Sequence, residues 1–322
     1  MSSILYIQLA GGLVYLLWGG DLLVRGAVAL ARRYHVSPIV IALTVVAFGT
    51  SLPEMMVVLQ ASLTGSPGLV LGNVVGSNIA NVLFVAGAAA AVYPLTYGER
   101  SVRRDSVVMI AASVLLIVLC FGGALTRLGG GVLLAGLVVV MAVTAREAAE
   151  AYRKADLKTP MEWVLGLPGR TGTIVLFIVL GAIGLPVGAK LVVGASVEIA
   201  AELGVSESVV GLTILAFGTS LPEFATTLAA ALHKRTEVAV GTVIGSNIFN
   251  VLAIMGVGAL VSPSPIAVAP SFFTVDFPVM IGTAVLLSAF VWLRRPIGRV
   301  AGVSFVIAYL VYIVMLLLRT GG

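Results

Sequence analysis

Charge is scarce in this sequence: Asp, Glu, Lys and Arg together make up 10% of 322 residues, where a soluble globular domain carries about 25%. Cysteine is nearly absent. Cys120 stands alone in an apolar run, which excludes an internal disulfide framework and a multi-cysteine metal site. The two histidines, His35 and His233, fall between apolar runs and read as solvated loop residues. Short alternating segments of the kind a transmembrane β-barrel needs are missing. No nucleophile–base pair or metal motif points to an enzyme. The net charge of +5 does not indicate nucleic acid, because the basic residues flank apolar spans and no aromatic-basic stripe accompanies them. A cleavable signal peptide is not expected, since the N-terminal apolar run reaches past Leu30 and lacks a basic leader.

What fills the chain instead is hydrophobic residues, 60% of the total, in runs of about 20, the length that crosses a bilayer as a helix. The expectation is an all-α integral membrane protein with ten spans, near 3–31, 38–64, 68–93, 105–122, 129–150, 172–202, 207–232, 237–261, 272–293 and 300–319. Basic residues test that count. Alternate loops hold Arg32, Arg33, Arg100, Arg103, Arg104, Arg146, Arg153, Lys154, Lys158, Arg170, Lys234, Arg235, Arg294, Arg295 and Arg299, whereas the other loops and the C-terminal tail hold only Arg127 and Arg319. Positive residues stay inside. This places the chain in the plasma (inner) membrane with both termini outside.

An internal repeat overlies the spans. "AFGTSLPE" occurs at Ala47 to Glu54 and again at Ala216 to Glu223; "GNVVGSNIAN" at 72–81 is echoed by "GTVIGSNIFN" at 241–250. The offset is 169 residues throughout, and about half of the positions paired from Val36 onward are identical. Five spans per repeat is an odd number, so the second half enters the membrane from the opposite side. Inverted repeats of this kind build secondary transporters, with the substrate site near the midplane. The expected organisation is a first repeat over 1–150, a charged cytoplasmic linker over 151–171 and a second, inverted repeat over 172–322.

The repeated motifs carry the chemistry. Glu54 and Glu223 fall near the middle of their spans, where a carboxylate costs at least ~2.5–3.5 kcal/mol and normally marks an ion or proton pathway. Pro53 and Pro222 lack an N–H, so the carbonyls of Gly49 and Gly218 lose their helical partners and the helix bends or breaks. Thr50 and Glu54 share one helix face at i,i+4, with Ser51 one position round and Ala47 one turn back; Thr219, Glu223, Ser220 and Ala216 repeat the arrangement. Ser77 and Asn81, like Ser246 and Asn250, also pair at i,i+4. Gly72/Gly76 and Gly241/Gly245 are small-xxx-small pairs that admit a close helix neighbour. Carboxylate, hydroxyl, amide and backbone oxygen suit hard cations such as Ca²⁺ or Na⁺ and suit Zn²⁺ or copper poorly. Two ionised glutamates balance one Ca²⁺ or two Na⁺, so exchanging three Na⁺ for one Ca²⁺ would move one net charge.

In these motifs the chain resembles the cation/calcium exchanger superfamily, and within it the prokaryotic sodium/calcium exchanger branch. The resemblance implies alternating access, with the first and sixth helices sliding past an eight-helix core. It implies a central Ca²⁺ site of Glu54, Glu223 and the carbonyls of Thr50 and Thr219. Sodium sites would use Ala47, Ser51, Ser77, Ala216, Ser220 and Ser246, with Asn81 and Asn250 facing the centre. Relatives that also carry potassium have aspartate where Asn250 stands, so the resemblance implies K⁺ independence. Two rivals stay open: a Ca²⁺/H⁺ antiporter on the same scaffold, and, from another class, a cation channel. Sodium coupling is favoured because the proton-coupled branch has an amide-rich sequence before its acid. The expected partners are the bilayer and the ions Ca²⁺ and Na⁺, with no cofactor, nucleic acid or obligatory protein.

Overall fold

The computed structural model describes residues 3–36, 38–97, 100–154, 167–202 and 218–320. Helix dominates it, as the long apolar runs require. Helix α1 (Ser3–Arg33) and helix α7 (Thr171–Glu202) have 31 and 32 residues. At 1.5 Å per residue each is more than 45 Å long, well beyond the ~30 Å hydrocarbon core, and so fits a bilayer by tilting. The second apolar run divides into α2 (Ala42–Thr50) and α3 (Leu52–Leu63), bent by 54° at the break. After them come α4 (Pro67–Val92), α5 (Arg100–Cys120) and α6 (Arg127–Lys154). Past α7 lie α8 (Leu221–Leu232), α9 (Thr236–Val261), α10 (Phe272–Trp292) and α11 (Arg299–Thr320).

Among the described residues, seven helices are long and apolar enough to cross a membrane, and the bent α2–α3 pair makes eight. The expected ten are not reached by this measure, for identifiable reasons. The first turns of α5 hold Arg100, Arg103, Arg104 and Asp105. Only the 12-residue α8 of the seventh run is described, because 203–217 lie outside the described residues. Of the expected linker, 155–166 are likewise outside them, while α6 continues through its first residues to Lys154.

The repeat is visible in the elements themselves. Helices α3 and α8 begin and end at positions 169 apart, as do α4 and α9. Asn81 and Asn250 each open a π-helical turn within α4 and α9, over Asn81–Ala86 and Asn250–Ile254. Such turns arise from one inserted residue and cluster at functional sites. Nothing in an apolar run announces them.

Helix α9 forms the centre: 94% of its apolar window is buried, against 22% for α6 and for α11. The exposed large side chains of the outer helices, among them Val14, Trp18, Val139, Ile183 and Val311, are apolar, as a lipid-facing surface must be. The core itself comes in two parts. A small cluster joins α1 and α7 to the start of α8 through Leu16, Leu23, Ala27, Leu185, Ala189 and Leu221. A much larger one fills the space among α3, α4, α5, α9, α10 and α11.

Glycine sets the fit of α1 on α7. A Cβ on Gly12 would meet the Gly188 carbonyl oxygen at 2.9 Å, and one on Gly181 would meet the Gly19 oxygen at 2.8 Å. Gly12 and Gly181 are repeat equivalents, and so are Gly19 and Gly188. The two backbones touch along a seam that follows the pseudo-symmetry.

Short contacts tie the helix ends. Ala124–Leu125 pairs antiparallel with Ile266–Ala267, and Arg127 Nη2 donates to the Ser262 carbonyl at 2.9 Å. At other ends, Leu95 and Ile297 form a single bridge, while Tyr97 Oη donates to the Arg295 carbonyl at 2.6 Å.

Candidate cation site

The prolines decide where the helices break. Ser51, at φ −86° and ψ 8°, separates α2 from α3, and Ser220, at φ −87° and ψ 3°, precedes α8 in the same conformation. Pro53 and Pro222 then fall in the first turn of the new helix, where a missing N–H leaves no hydrogen bond unmade. This corrects one expectation. Thr50 ends one helix and Glu54 lies in the first turn of the next, so they do not share a continuous i,i+4 face. The consequence is electrostatic: both acids sit at a helix N-terminus, where exposed N–H groups and the helix dipole favour negative charge.

Most of the expected site residues are buried. Ala47, Thr50, Ser51, Glu54, Ser77, Asn81, Ser220, Glu223, Ser246 and Asn250 are all at most 3% exposed. Thr219 is half-buried, and Ala216 lies outside the described residues. Ser51 Oγ donates to Glu223 Oε1 at 2.9 Å, and Ser246 Oγ reaches the same oxygen at 3.4 Å. The Thr50 hydroxyl donates to the Ala47 carbonyl at 3.2 Å. Glu54 and Glu223 are near enough for their charges to interact directly. The break of one repeat therefore faces the acid of the other.

Gly245 brings the layers together. A Cβ there would meet Leu43 Cα at 2.8 Å and Ala47 Cβ at 2.9 Å, so α9 lies directly on α2 and carries Ser246 to Glu223. The close approach expected of the glycine pairs is realised at Gly245. For Gly72 and Gly76, no described atom stands within 4 Å of an added Cβ.

Several buried oxygens of the expected site residues have no hydrogen-bond partner: Glu54 Oε2, Glu223 Oε2, Ser220 Oγ, Asn81 Oδ1 and Asn250 Oδ1. An unpaired buried polar atom costs roughly 1–3 kcal/mol. Two of the five belong to the carboxylates themselves and three to neighbouring hydroxyl and amide groups, an oxygen set that a hard cation would satisfy.

Two residues missed in the sequence belong here. Asn78 and Asn247, the middle residues of "GSNI", accept hydrogen bonds from the amides of Asn250 and Asn81 at 3.2 and 3.0 Å. Their recurrence in both motif copies was the available signal, but a one-helix view selected Ser77 and Asn81 instead.

Several charged groups elsewhere are paired. Arg25 Nη1 and Asp21 Oδ2 form an i,i+4 pair at 3.1 Å. His233, read as a solvated loop residue, is exposed and also meets Asp21 through Nε2. Arg104 bonds Asp105 and Glu147. Asp276 is buried and accepts from Tyr312 Oη at 2.9 Å.

Comparison with known proteins follows this geometry. A family model described as sodium/calcium exchanger protein matches residues 4–145 and 173–318. The chain is 36% identical over 303 residues to the putative antiporter CaxA of Alkalimonas amylolytica, covering 94% of this chain and 95% of that one. It is 33% identical to the sodium/calcium exchanger MaX1 of Methanosarcina acetivorans, covering 98% and 99%. A solved structure of the sodium-calcium exchanger NCX_Mj, soaked with Na⁺ and Ca²⁺, superposes with a TM-score of 0.82 at 30% identity, covering 98% of this chain and 99% of that one.

Proposed function

The chain belongs to the sodium/calcium exchanger protein family, and from that premise we propose that it is an antiporter exchanging Na⁺ for Ca²⁺ by alternating access. The observation that carries the reading is the crossed contact between repeats, Ser51 of one on Glu223 of the other, among five unpaired buried oxygens. The central ion is held by Glu54, Glu223 and the carbonyls of Thr50 and Thr219. Ala47, Ser51, Ser77, Ala216, Ser220 and Ser246 supply sodium ligands, and Asn81 and Asn250 line the centre.

The scaffold in this reading is ten spans in two inverted five-helix repeats, joined by a cytoplasmic linker, with both termini outside. Support comes from the alternation of basic loops and from helices that match at an offset of 169. The moving part is the α1–α7 pair. The glycine seam between α1 and α7 supports a unit that shifts as one body.

Two buried carboxylates give the site −2. Three sodium ions against one calcium ion then carry one net charge, and the cycle is electrogenic. A membrane potential biases it by ~2.3 kcal/mol per 100 mV. Asn250 contributes no third charge, which supports potassium independence.

The deciding experiment is Ca²⁺ uptake into vesicles loaded with Na⁺, compared with vesicles given only a pH gradient. Saturable uptake that needs internal Na⁺ and leaves external K⁺ without effect is expected. Uptake that follows the pH gradient and ignores sodium would overturn the reading in favour of proton coupling. Unsaturable flux down either gradient would overturn it in favour of a channel.

A further inference from the structure

Four asparagines, two from each repeat, are joined across the centre by two equivalent hydrogen bonds. Asn81 Nδ2 donates to Asn247 Oδ1 at 3.0 Å, and Asn250 Nδ2 donates to Asn78 Oδ1 at 3.2 Å. The second bond is the first carried through the 169-residue offset, with donor and acceptor repeats exchanged. Asn247 Nδ2 also reaches the Asn78 carbonyl at 3.3 Å. All four residues are at most 3% exposed.

An amide group has nearly the same shape in its two flipped orientations, so packing alone does not choose between them. What chooses is hydrogen bonding, since one end only accepts and the other only donates. At Asn81 and Asn250 the NH₂ is taken by the opposite repeat. The oxygen that remains, Oδ1, is buried and unpartnered in both. Each stands one helical turn beyond Ser77 or Ser246, at the first residue of a π turn. The Ser246 hydroxyl in turn reaches Glu223 at 3.4 Å.

We propose that Asn78 and Asn247 are positioning residues for the cation site: each accepts the NH₂ of the opposite repeat's Asn250 or Asn81 and so holds that amide with its oxygen free for the ion. Without the acceptor, the amide can rotate and present N–H to a cation, turning an attractive dipole into a repulsive one. Because the braces cross between repeats, each half of the chain fixes a ligand belonging to the other half. This rests on the cation-exchange reading above and extends it to residues that do not touch the ion.

The test is a double-mutant cycle on Na⁺-driven Ca²⁺ uptake by the full-length protein in vesicles, reading KM for Ca²⁺ separately from kcat. Asn78→Leu and Asn247→Leu are each expected to raise KM about tenfold, within the range of couplings between touching polar groups. Asn78→Leu added to Asn250→Leu should cost nothing further, and Asn247→Leu added to Asn81→Leu likewise. Where a leucine variant does not yield monodisperse protein, Asn78→Ala or Asn247→Ala removes the acceptor without adding bulk. Independent, additive effects in both cycles, or an unchanged KM in the single variants, overturn the positioning role while wild-type exchange stands. Absence of Na⁺-driven uptake by the wild type would instead overturn the reading beneath it.

Discussion

Ser51 donates to Glu223 at 2.9 Å across 172 residues of sequence, yet its repeat equivalent does nothing comparable. Ser220 Oγ, the matching hydroxyl, is buried and without a partner. The two motif copies are identical from Ala47 to Glu54 and from Ala216 to Glu223. Local sequence therefore cannot produce the difference; the packing around each copy does. In the proposed alternating-access reading, equal halves bonded unequally would correspond to one side closed, and exchanging the roles of the halves would close the other.

That asymmetry predicts unequal effects from equal substitutions. Ser51→Ala removes a donor from a buried carboxylate, worth about 1.5–3 kcal/mol for a charged acceptor. Ser220→Ala removes a hydroxyl that has no partner. In ion-free detergent solution, thermal unfolding should shift downward by several degrees for Ser51→Ala and hardly at all for Ser220→Ala. Equal shifts would mean that the two halves carry the serine–glutamate bond equally in solution.

The paired acids predict an all-or-none response. Glu54→Gln and Glu223→Gln each preserve side-chain shape and leave a single negative charge against a divalent ion. Removing one member of a buried, charge-matched set costs about 3–5 kcal/mol. Ca²⁺ uptake driven by Na⁺ should fall by at least a hundredfold in either variant. Retained uptake in one of them would show that the charge balance does not involve both acids.

Much of this was legible before the fold was known, and the reasons differ by residue. Glu54 and Glu223 stood out because an acid inside an apolar run is expensive, and Pro53 and Pro222 marked the break because a missing N–H acts locally. The position of the break at Ser51 and Ser220 was not legible. It moved the acids from mid-helix to a helix start, a distinction of a few residues that depends on where the new helix nucleates. Contacts between distant residues were hidden for a stronger reason. Asn78 with Asn250, and Asp21 with His233, become neighbours only when helices dock, and no spacing rule within one helix reaches them. The seam of Gly12, Gly19, Gly181 and Gly188 was equally silent, since a glycine shows its use only when something lies against it.

Asn250 offers a test of charge at the centre. Asn250→Asp adds a third buried carboxylate beside two acids, and it leaves Asn78 Oδ1 facing a group that no longer donates. The ionised form favours one more bound cation. Potassium dependence of Ca²⁺ uptake, which the proposed function does not include for the wild type, is the expected gain, measured as uptake with and without K⁺ at fixed Na⁺ gradient. Uptake unchanged in rate and ion dependence would remove position 250 from the site.

The α1–α7 seam supplies a pair of substitutions that differ in steric demand by geometry alone. On Gly181 a Cβ would lie 2.7 Å from Leu23 Cβ and 2.8 Å from the Gly19 oxygen. Both obstacles are held to backbone, so the helices must part, and overpacking of this kind typically costs 1–3 kcal/mol. On Gly184, less than one turn away, the nearest atoms are at 3.7 and 3.9 Å, which is ordinary van der Waals contact. Gly181→Ala should therefore slow turnover, and Gly184→Ala should not. Neither residue is among the proposed ion ligands, so the loss at Gly181 should fall on kcat with KM for Ca²⁺ little changed. Measuring both constants in Na⁺-loaded vesicles separates the outcomes. A rise in KM without loss of kcat would mean that the seam shapes the site at rest; equal rates in the two variants would mean that the tight contact at Gly181 does not limit the cycle.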